Sequence, residues 1–260
     1  MNAPSVIEIT ALLRPVAQNL DGFLGAILLG SVSAGMQDET SDYDIQLVFE
    51  DEAFRAHAEY GEITLDAGGR KVDCWASSLS ELRDMDPSGD EAKDYVNAVY
   101  LLDTSGAVKA AARSFVELAP EKQHDYVAAR LDSYYNALYR SLKCRRHGYM
   151  MGYYAMAVVA MQSFSDVVYA VNGTISPFIN RVPFLLKRLD KLPAPAPVLA
   201  GMMENICADA RVKMQIALFD LTSVWMTQIG YRHVQDAWEG VLEREVDNAR
   251  TADYGESDCH

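Results

Sequence analysis

Cysteine is scarce in this sequence and is not arranged as cysteine sites require. The four cysteines, Cys74, Cys144, Cys207 and Cys259, lie far apart, and no two of them form a C-x-x-C pair. The spacing argues against a zinc knuckle and against a disulfide framework, since both need clustered or regularly spaced cysteines. We therefore expect a protein of the reducing cytoplasm.

Basic residues are also scarce. The 260 residues include 23 Lys and Arg against 37 Asp and Glu, which gives a formal net charge of −14. Broad binding of nucleic acid depends on clustered Lys and Arg, so this composition argues against a nucleic-acid partner. The excess of carboxylates suits a cationic acceptor, or metal ions that carry a negative triphosphate, and it would equally serve solubility alone.

The sequence has no clean hydrophobic run of the length that a membrane helix needs. The most apolar stretch, residues 149–171, is interrupted by polar residues such as Gln162 and Asp166. It therefore predicts a buried helix and no membrane partner. The first residues lack a basic region followed by an apolar stretch, and we expect no signal peptide.

Two kinds of pattern divide the chain. Before Pro120, apolar runs and period-2 alternation mix with helical spacing, and after it only helical spacing follows. Strands are predicted near residues 23–29, 42–49, 63–65, 71–75 and 99–102. Helices are predicted near residues 6–20, 78–83, 107–118, 121–147, 149–171, 177–189, 197–230 (in one or two pieces) and 234–250.

This division predicts an α+β fold class. We expect a small mixed β-sheet domain with flanking helices, followed by an all-α helical bundle domain. The predicted boundaries are residues 1–118 for the first domain, 119–250 for the second and 251–260 for a disordered tail.

A pair of aspartates opens the most clearly alternating strand. Asp42 and Asp44 are separated by one residue, so both carboxylates point to one face, while Tyr43 and Ile45 point into the core. Two carboxylates this close repel each other unless a cation lies between them. Mg²⁺ prefers oxygen ligands of this kind. The pattern predicts a magnesium site.

A third aspartate, Asp73, lies in the strand that follows the turn signal Asp66-Ala-Gly-Gly69. If that strand lies beside the Asp42–Asp44 strand, three carboxylates converge. Three carboxylates suffice for two metal ions, one activating the attacking oxygen and one steadying a triphosphate. Asp73 would alternatively accept the proton of the attacking hydroxyl, and both roles stay open.

A Gly-Ser pair directly follows the first predicted strand. Gly30 would let backbone approach a phosphate closely, and the Ser31 hydroxyl would add a donor. Ser41, directly before the aspartate pair, is a further candidate for the phosphates. Alone, such a pair is more often an ordinary turn, and a lone D-x-D is more often a solvated surface. The combination with Asp73 is what points to a site.

Residues 28–49, LLGSVSAGMQDETSDYDIQLVF, resemble the signature of the DNA polymerase β-type nucleotidyltransferase superfamily. The resemblance implies that Asp42 and Asp44 bind divalent metal, that the Gly-Ser turn holds the triphosphate, and that Asp73 is the third acid. Residues 99–112 resemble the strand–Asp–Gly–helix segment that closes this domain in members acting on small molecules.

The helical part carries a weaker resemblance. Asn172, Pro177 and residues 184–187 are similar to the helical domain of aminoglycoside nucleotidyltransferase-like proteins. The resemblance implies a basic residue that faces the nucleotide, and the candidates are Arg181 and Lys187.

The expected function is Mg²⁺-dependent transfer of AMP from ATP to a hydroxyl of a small, cationic acceptor such as an aminoglycoside, as in antibiotic resistance, with release of pyrophosphate. Alternatives are a non-catalytic nucleotide-binding regulatory module and a nucleotidyltransferase that modifies a protein partner, as an antitoxin does. An RNA end is a weaker rival acceptor. Arg140 and His147 also resemble the Arg…His pattern of helical ribonuclease toxins. The sequence does not predict the oligomeric state.

Overall fold

The structure is a computed structural model that describes residues 6–17, 19–57, 63–66 and 71–252. The chain divides into two compact units, residues 1–118 and 119–260. All five strands of the described residues lie in the first unit, and the described part of the second unit contains helices and no strand. The predicted fold class, a small mixed sheet with flanking helices followed by an all-α region, is confirmed. Residues 253–260 of the predicted tail lie outside the described residues.

The first unit is built on one mixed sheet. Its strands are β1 Phe23–Leu28, β2 Tyr43–Phe49, β3 Ile63–Asp66, β4 Lys71–Ser78 and β5 Val99–Asp103, in the order β3-β4-β2-β1-β5. Strand β1 is antiparallel to both β2 and β5, and β3 is antiparallel to β4. Strands β2 and β4 are neighbours that run parallel, and they carry Asp44 and Asp73.

The alternation of β2 fixes which of its side chains are buried in the core. Tyr43, Ile45 and Leu47 lie in a hydrophobic cluster with Ile9 and Leu13 of helix α1, Val6–Ala17. Each large apolar side chain buried in this way contributes about 1.5–3 kcal/mol to stability. A slip of one residue would expose the whole set. The intervening side chains of β2 are therefore held on the opposite face of the sheet.

The other helices of the first unit are short. They are α2 Gly30–Ala34, α3 Asp51–His57, α4 Leu79–Arg83, α5 Asp90–Asp94 and α6 Ala107–Val116. Helix α4 was predicted from a capping box, and its geometry is present. The N–H of Glu81 donates to Oγ of Ser78 at 3.0 Å, and the N–H of Ser78 donates to Oε2 of Glu81 at 2.9 Å. Helices α3 and α5 were not predicted, because five to seven residues are too few to show a helical period.

The second unit is a set of helices: α7 Pro120–Arg146, α8 Met150–Val171, α9 Val182–Leu185, α10 Ala196–Asp209, α11 Val212–Gln228, α12 Arg232–Asp236 and α13 Val241–Thr251. Helices α7 and α8 are joined by a short turn and pack together. Tyr134 and Phe164, one from each helix, have ring centroids 5.4 Å apart.

Two predicted helices are more broken than the sequence indicated. The continuous helix predicted for residues 177–189 was wrong, since α9 has only four residues and lies between two 3₁₀ turns, Ile179–Arg181 and Leu186–Arg188. Pro183 lacks the N–H that a longer helix would need there. The 234–250 segment was predicted as one helix and breaks at Gly240 (φ 73°). The 197–230 segment forms two helices separated at Ala210 (φ 52°), which is one of the two predicted arrangements.

Helix α8 is the one helix of the described residues that is long and apolar enough to cross a membrane by length and composition. In the structure 56% of its most apolar window is buried. A core helix of a folded domain passes the same test, so this is a weak indication of a span.

An ion pair joins the end of α7 to α13. Nε and Nη2 of Arg146 each donate to a carboxylate oxygen of Glu245 at 2.9 Å. The Glu245 side chain is 6% exposed and Arg146 is 42% exposed. A bidentate contact of this kind is stronger than an ordinary surface pair because one carboxylate is held out of water.

Candidate active site

The backbone of Gly30 lies directly against the Asp44 carboxylate. Leu29, between β1 and α2, donates its N–H to the Asp44 carbonyl at 2.9 Å, and Gly30 follows with φ +67°. A Cβ atom on Gly30 would lie 1.8 Å from Oδ2 and 2.9 Å from Cγ of Asp44. Both the backbone conformation and the contact therefore require glycine. The contact joins the predicted phosphate turn to a predicted metal ligand.

Asp44 and Asp73 are register partners. The parallel ladder of β2 and β4 pairs Tyr43 with Val72, then Asp44 with Asp73. Neighbouring strands are about 4.8 Å apart, and paired residues of a parallel ladder point to the same face. The two carboxyl groups therefore leave the sheet side by side, on the face opposite the hydrophobic cluster.

Asp42 lies at the edge of this arrangement. It is half-buried and precedes the first residue of β2, one position before the ladder with β4 begins. Across the described residues, no three His, Cys, Asp or Glu side chains are placed together as a ready metal site. The structure thus brings Gly30, Asp44 and Asp73 together and leaves Asp42 as their flanking neighbour.

A buried hydrogen-bond chain fixes the Gly30 turn from behind. Oγ of Ser33 donates to the Gly30 carbonyl at 2.9 Å, and Nδ2 of Asn97 donates to Oγ of Ser33 at 2.6 Å. Ser33 is 4% exposed and Asn97 is 6% exposed. Sequence reasoning missed both residues, because Asn97 lies 64 positions beyond Ser33 and no local signal links them.

Ser41 belongs to a tight turn with Asp38. Its Oγ accepts the N–H of Asp38 at 2.9 Å and donates to Oδ1 of Asp38 at 3.1 Å. Hydrogen bonds from the side chain and backbone of Thr40, and then from Ser41, lower the pKa of the exposed Asp38 carboxyl. These hydrogen bonds hold Ser41 in the turn that precedes β2. A contact of Ser41 with phosphate stays a prediction.

A cavity of about 400 Å³ opens on the same face of the sheet. We call it the α4–α5 cavity. Its floor includes Gln46 and Ser77, which continue the faces of Asp44 and Asp73 along β2 and β4. The lining residues are Leu29, Gln46, Trp75, Ser77, Glu81, Leu82, Met85, Glu91, Asp94 and Tyr95.

The floor of the α4–α5 cavity is held rigid by three polar side chains. The hydroxyl of Tyr95 donates to Oε1 of Gln46 at 2.7 Å, and Nε2 of Gln46 donates to Oγ of Ser77 at 2.8 Å. Burial raises the pKa of Tyr95 far above its usual range, so this hydroxyl stays protonated. The sequence did not predict the cavity, since its walls are short helices that carry little periodic signal.

The two basic candidates, Arg181 and Lys187, lie in the second unit. The Arg181 guanidinium is half-buried, with its carbon 5.1 Å from the centroid of the Phe178 ring. Lys187 is exposed in the 3₁₀ turn that follows α9. Asn172 binds both backbone groups of Lys191, at 3.0 and 2.8 Å. The Asn172 side chain therefore joins two segments of the unit. Contact of Arg181 or Lys187 with a nucleotide stays a prediction.

Arg140 and His147, the candidate ribonuclease pair, engage separate neighbours. Nε of Arg140 donates to Oδ1 of Asn136 at 3.0 Å within α7. His147, directly after α7, stacks on Tyr149 with ring centroids 5.9 Å apart. Both side chains are exposed, and an RNA-cleaving role for the pair stays a prediction.

Eleven chains of solved structures match this protein. No protein-family model matches the sequence, and no curated protein matches it. The chain is similar to the crystal structure of a nucleotidyltransferase-like protein from Exiguobacterium sibiricum 255-15, over 95% of this chain and 81% of that one, with 10% identity and a TM-score of 0.39. The fold assignment above rests on strand order and register, and not on this likeness.

Proposed function

We propose that this chain is a divalent-metal-dependent nucleotidyltransferase of the cytoplasm, which transfers AMP from ATP to a hydroxyl of a small acceptor and releases pyrophosphate. One observation carries the proposal: the bare backbone of Gly30 lies against the Asp44 carboxylate, whose register partner is Asp73. A glycine turn that admits phosphate oxygens beside paired carboxylates suits a metal–triphosphate substrate.

The residues present fit a magnesium ion. Asp42, Asp44 and Asp73 offer hard carboxylate oxygens, and Mg²⁺ commonly uses one or two carboxylates and completes its shell with water and substrate phosphates. A preassembled set of three ligands is therefore not required. We propose two ions, which when bound would neutralise charge on the triphosphate.

Each residue of the site has a proposed task in the transfer. The backbone at Gly30 and the hydroxyls of Ser31 and Ser41 bind phosphate oxygens. The acceptor oxygen forms a bond to the α-phosphorus, the bond from that phosphorus to the bridging oxygen breaks, and pyrophosphate leaves. Asp73 either accepts the hydroxyl proton or is the third metal ligand, in which case water takes the proton. Arg181 and Lys187 are candidates for nucleotide contact through the resemblance alone.

The test is pyrophosphate release from ATP and MgCl₂ in the presence of hydroxyl-bearing amines that include kanamycin. We expect Asp44→Asn to lower the rate by about 100-fold or more, since a charge that stabilises the transition state is lost. Asp21→Asn removes an exposed carboxylate of the same unit and should leave the rate unchanged.

Full activity of Asp44→Asn would contradict this mechanism. Metal-dependent ATP binding without turnover on any small acceptor would instead indicate the regulatory module. Turnover that requires a protein substrate would indicate a nucleotidyltransferase that modifies a protein partner.

A further inference from the structure

We propose that helix α8 carries the interface through which two copies of this chain pair. The basis is an apolar strip on the first half of α8 that remains exposed. We call this surface the α8 stripe, and its residues are Met151, Tyr154, Ala155, Val158, Val159 and Gln162. Such a dimer would form whether or not the chain transfers nucleotides, so it goes beyond the proposed function.

The spacing of the α8 stripe is that of a single helix face. Its members follow one another at i, i+3, i+4, i+7, i+8 and i+11, and at 1.5 Å per residue the stripe is about 17 Å long. The opposite face of α8 is held in the core of the second unit, where the Tyr153 carbonyl accepts the buried Ser141 hydroxyl at 3.1 Å. The stripe therefore points away from the α7 packing surface.

Helix α8 is apolar on both of these faces. Asp166 is the one charged residue of its 22, which is the composition of a helix that is covered on all sides. Met151 nevertheless is 87% exposed, and Tyr154, Val158 and Val159 are between 42% and 47% exposed. Isolated exposed apolar residues are ordinary, but a contiguous apolar patch marks a surface that another molecule covers.

The size and symmetry of the α8 stripe fit a second copy. Together with the neighbouring Tyr149, its side chains expose on the order of 600 Å², most of the about 800 Å² per partner that a stable interface buries. A two-fold axis across its middle would set two stripes antiparallel. The small Ala155 would then lie opposite Val158, and Tyr154 opposite Val159, so that large and small side chains alternate across the contact.

The charge of the chain also favours this face for pairing. Each copy has a formal net charge of −14, so two copies repel each other where their acidic surfaces meet. The α8 stripe contains no charged residue. Salt screens the repulsion but does not weaken an apolar contact, and we therefore expect pairing to strengthen as NaCl is raised. A contact held by ion pairs would weaken instead.

The experiment is sedimentation velocity of the full chain from ~1 to ~100 µM, at low and high NaCl. We expect a dimer whose share grows with protein concentration and with salt. Val158→Glu should weaken pairing by about 100-fold or more, since the two-fold axis brings the new carboxylate into the apolar contact twice. The matched control is Val224→Glu, an equally exposed valine of α11 that lies outside the stripe, and it should pair as the wild type does.

Pairing that is lost in Val158→Glu and kept in Val224→Glu supports the α8 interface. A chain that stays monomeric at all concentrations overturns it, as does a dimer that both variants keep. Thermal unfolding at the lowest concentration shows whether Val158→Glu destabilises the single chain, which would mean that the chain itself covers the stripe. A monomer that sediments with phosphatidylglycerol vesicles would assign the stripe to a lipid surface and would also overturn the proposal.

Discussion

Oδ2 of Asp44 lies 1.8 Å from the position that a Cβ atom on Gly30 would occupy. No side chain fits at Gly30 while the Asp44 carboxylate keeps this position. The proposed phosphate turn and the proposed metal ligand are therefore one structural unit, and a change at either residue acts on the other.

Gly30→Ala should destabilise the protein by about 2–4 kcal/mol, since it adds a clash to an unfavourable left-handed backbone. Gly106→Ala is the matched control. Gly106 has φ +78° and nothing within 4 Å of its Cβ position, so we expect a cost of about 1 kcal/mol from the backbone alone. Urea unfolding measures both, and equal costs would contradict the contact with Asp44.

Asn97→Ala should release Ser33 and, through it, the Gly30 carbonyl. The loss of a buried hydrogen bond should cost about 1–2 kcal/mol. Because the turn would be less fixed, we also expect a higher KM for ATP in the pyrophosphate assay. Asn19→Ala, which removes an exposed bond to the Pro15 carbonyl, should change neither quantity. An unchanged KM in Asn97→Ala would show that the hydrogen bonds from Asn97 through Ser33 to Gly30 only stabilise the fold.

Ser78→Ala removes the capping box of α4, a wall of the α4–α5 cavity. Loss of an N-cap side chain costs about 1 kcal/mol, and urea unfolding should show this decrease. Ser88→Ala changes an exposed serine that binds only Asp86 among the contacts described for it, and we expect a cost below about 0.5 kcal/mol. Indistinguishable midpoints for the two variants would show that the cap does not stabilise this unit.

Arg146→Ala should destabilise the second unit by about 2 kcal/mol, because it leaves the buried Glu245 carboxylate without its bidentate donor. The estimate is below that of a fully buried pair, since Arg146 is 42% exposed. Arg232→Ala breaks the exposed pair with Asp236 in the same unit and should cost less than about 1 kcal/mol. Thermal unfolding of the two variants would contradict this ranking if Arg232→Ala were the less stable.

The sequence predicted those elements whose signal is local. The alternation of β2 is visible because one of its faces packs against α1, and the same alternation placed Asp44 on the open face. The capping box of α4 needs only Ser78 and Glu81. Convergence of Asp73 with the aspartate pair was expected on the condition that their strands are neighbours, and the ladder pairs Asp73 with Asp44.

Features that depend on distant residues were not predictable in this way. The hydrogen bonds that run from Asn97 through Ser33 to Gly30 depend on Asn97 and Ser33, which are 64 residues apart in the sequence. The α4–α5 cavity depends on helices of five residues, whose apolar pattern is too short to read. The 177–189 segment shows helical spacing, but Pro183 near the start of α9 interrupts it.

Whether Asp44 and Asp73 hold a metal–ATP complex is measured most directly by titrating the protein with Mn²⁺ and ATP. The electron paramagnetic resonance signal of free Mn²⁺ reports how much of the metal is bound. Mn²⁺ accepts the same oxygen ligands as Mg²⁺. We expect the wild-type chain to bind the metal–ATP complex. Asp44→Asn and Asp73→Asn should each weaken this binding by about tenfold or more, while Asp21→Asn should not. Equal affinity in all four proteins would show that neither Asp44 nor Asp73 holds the metal.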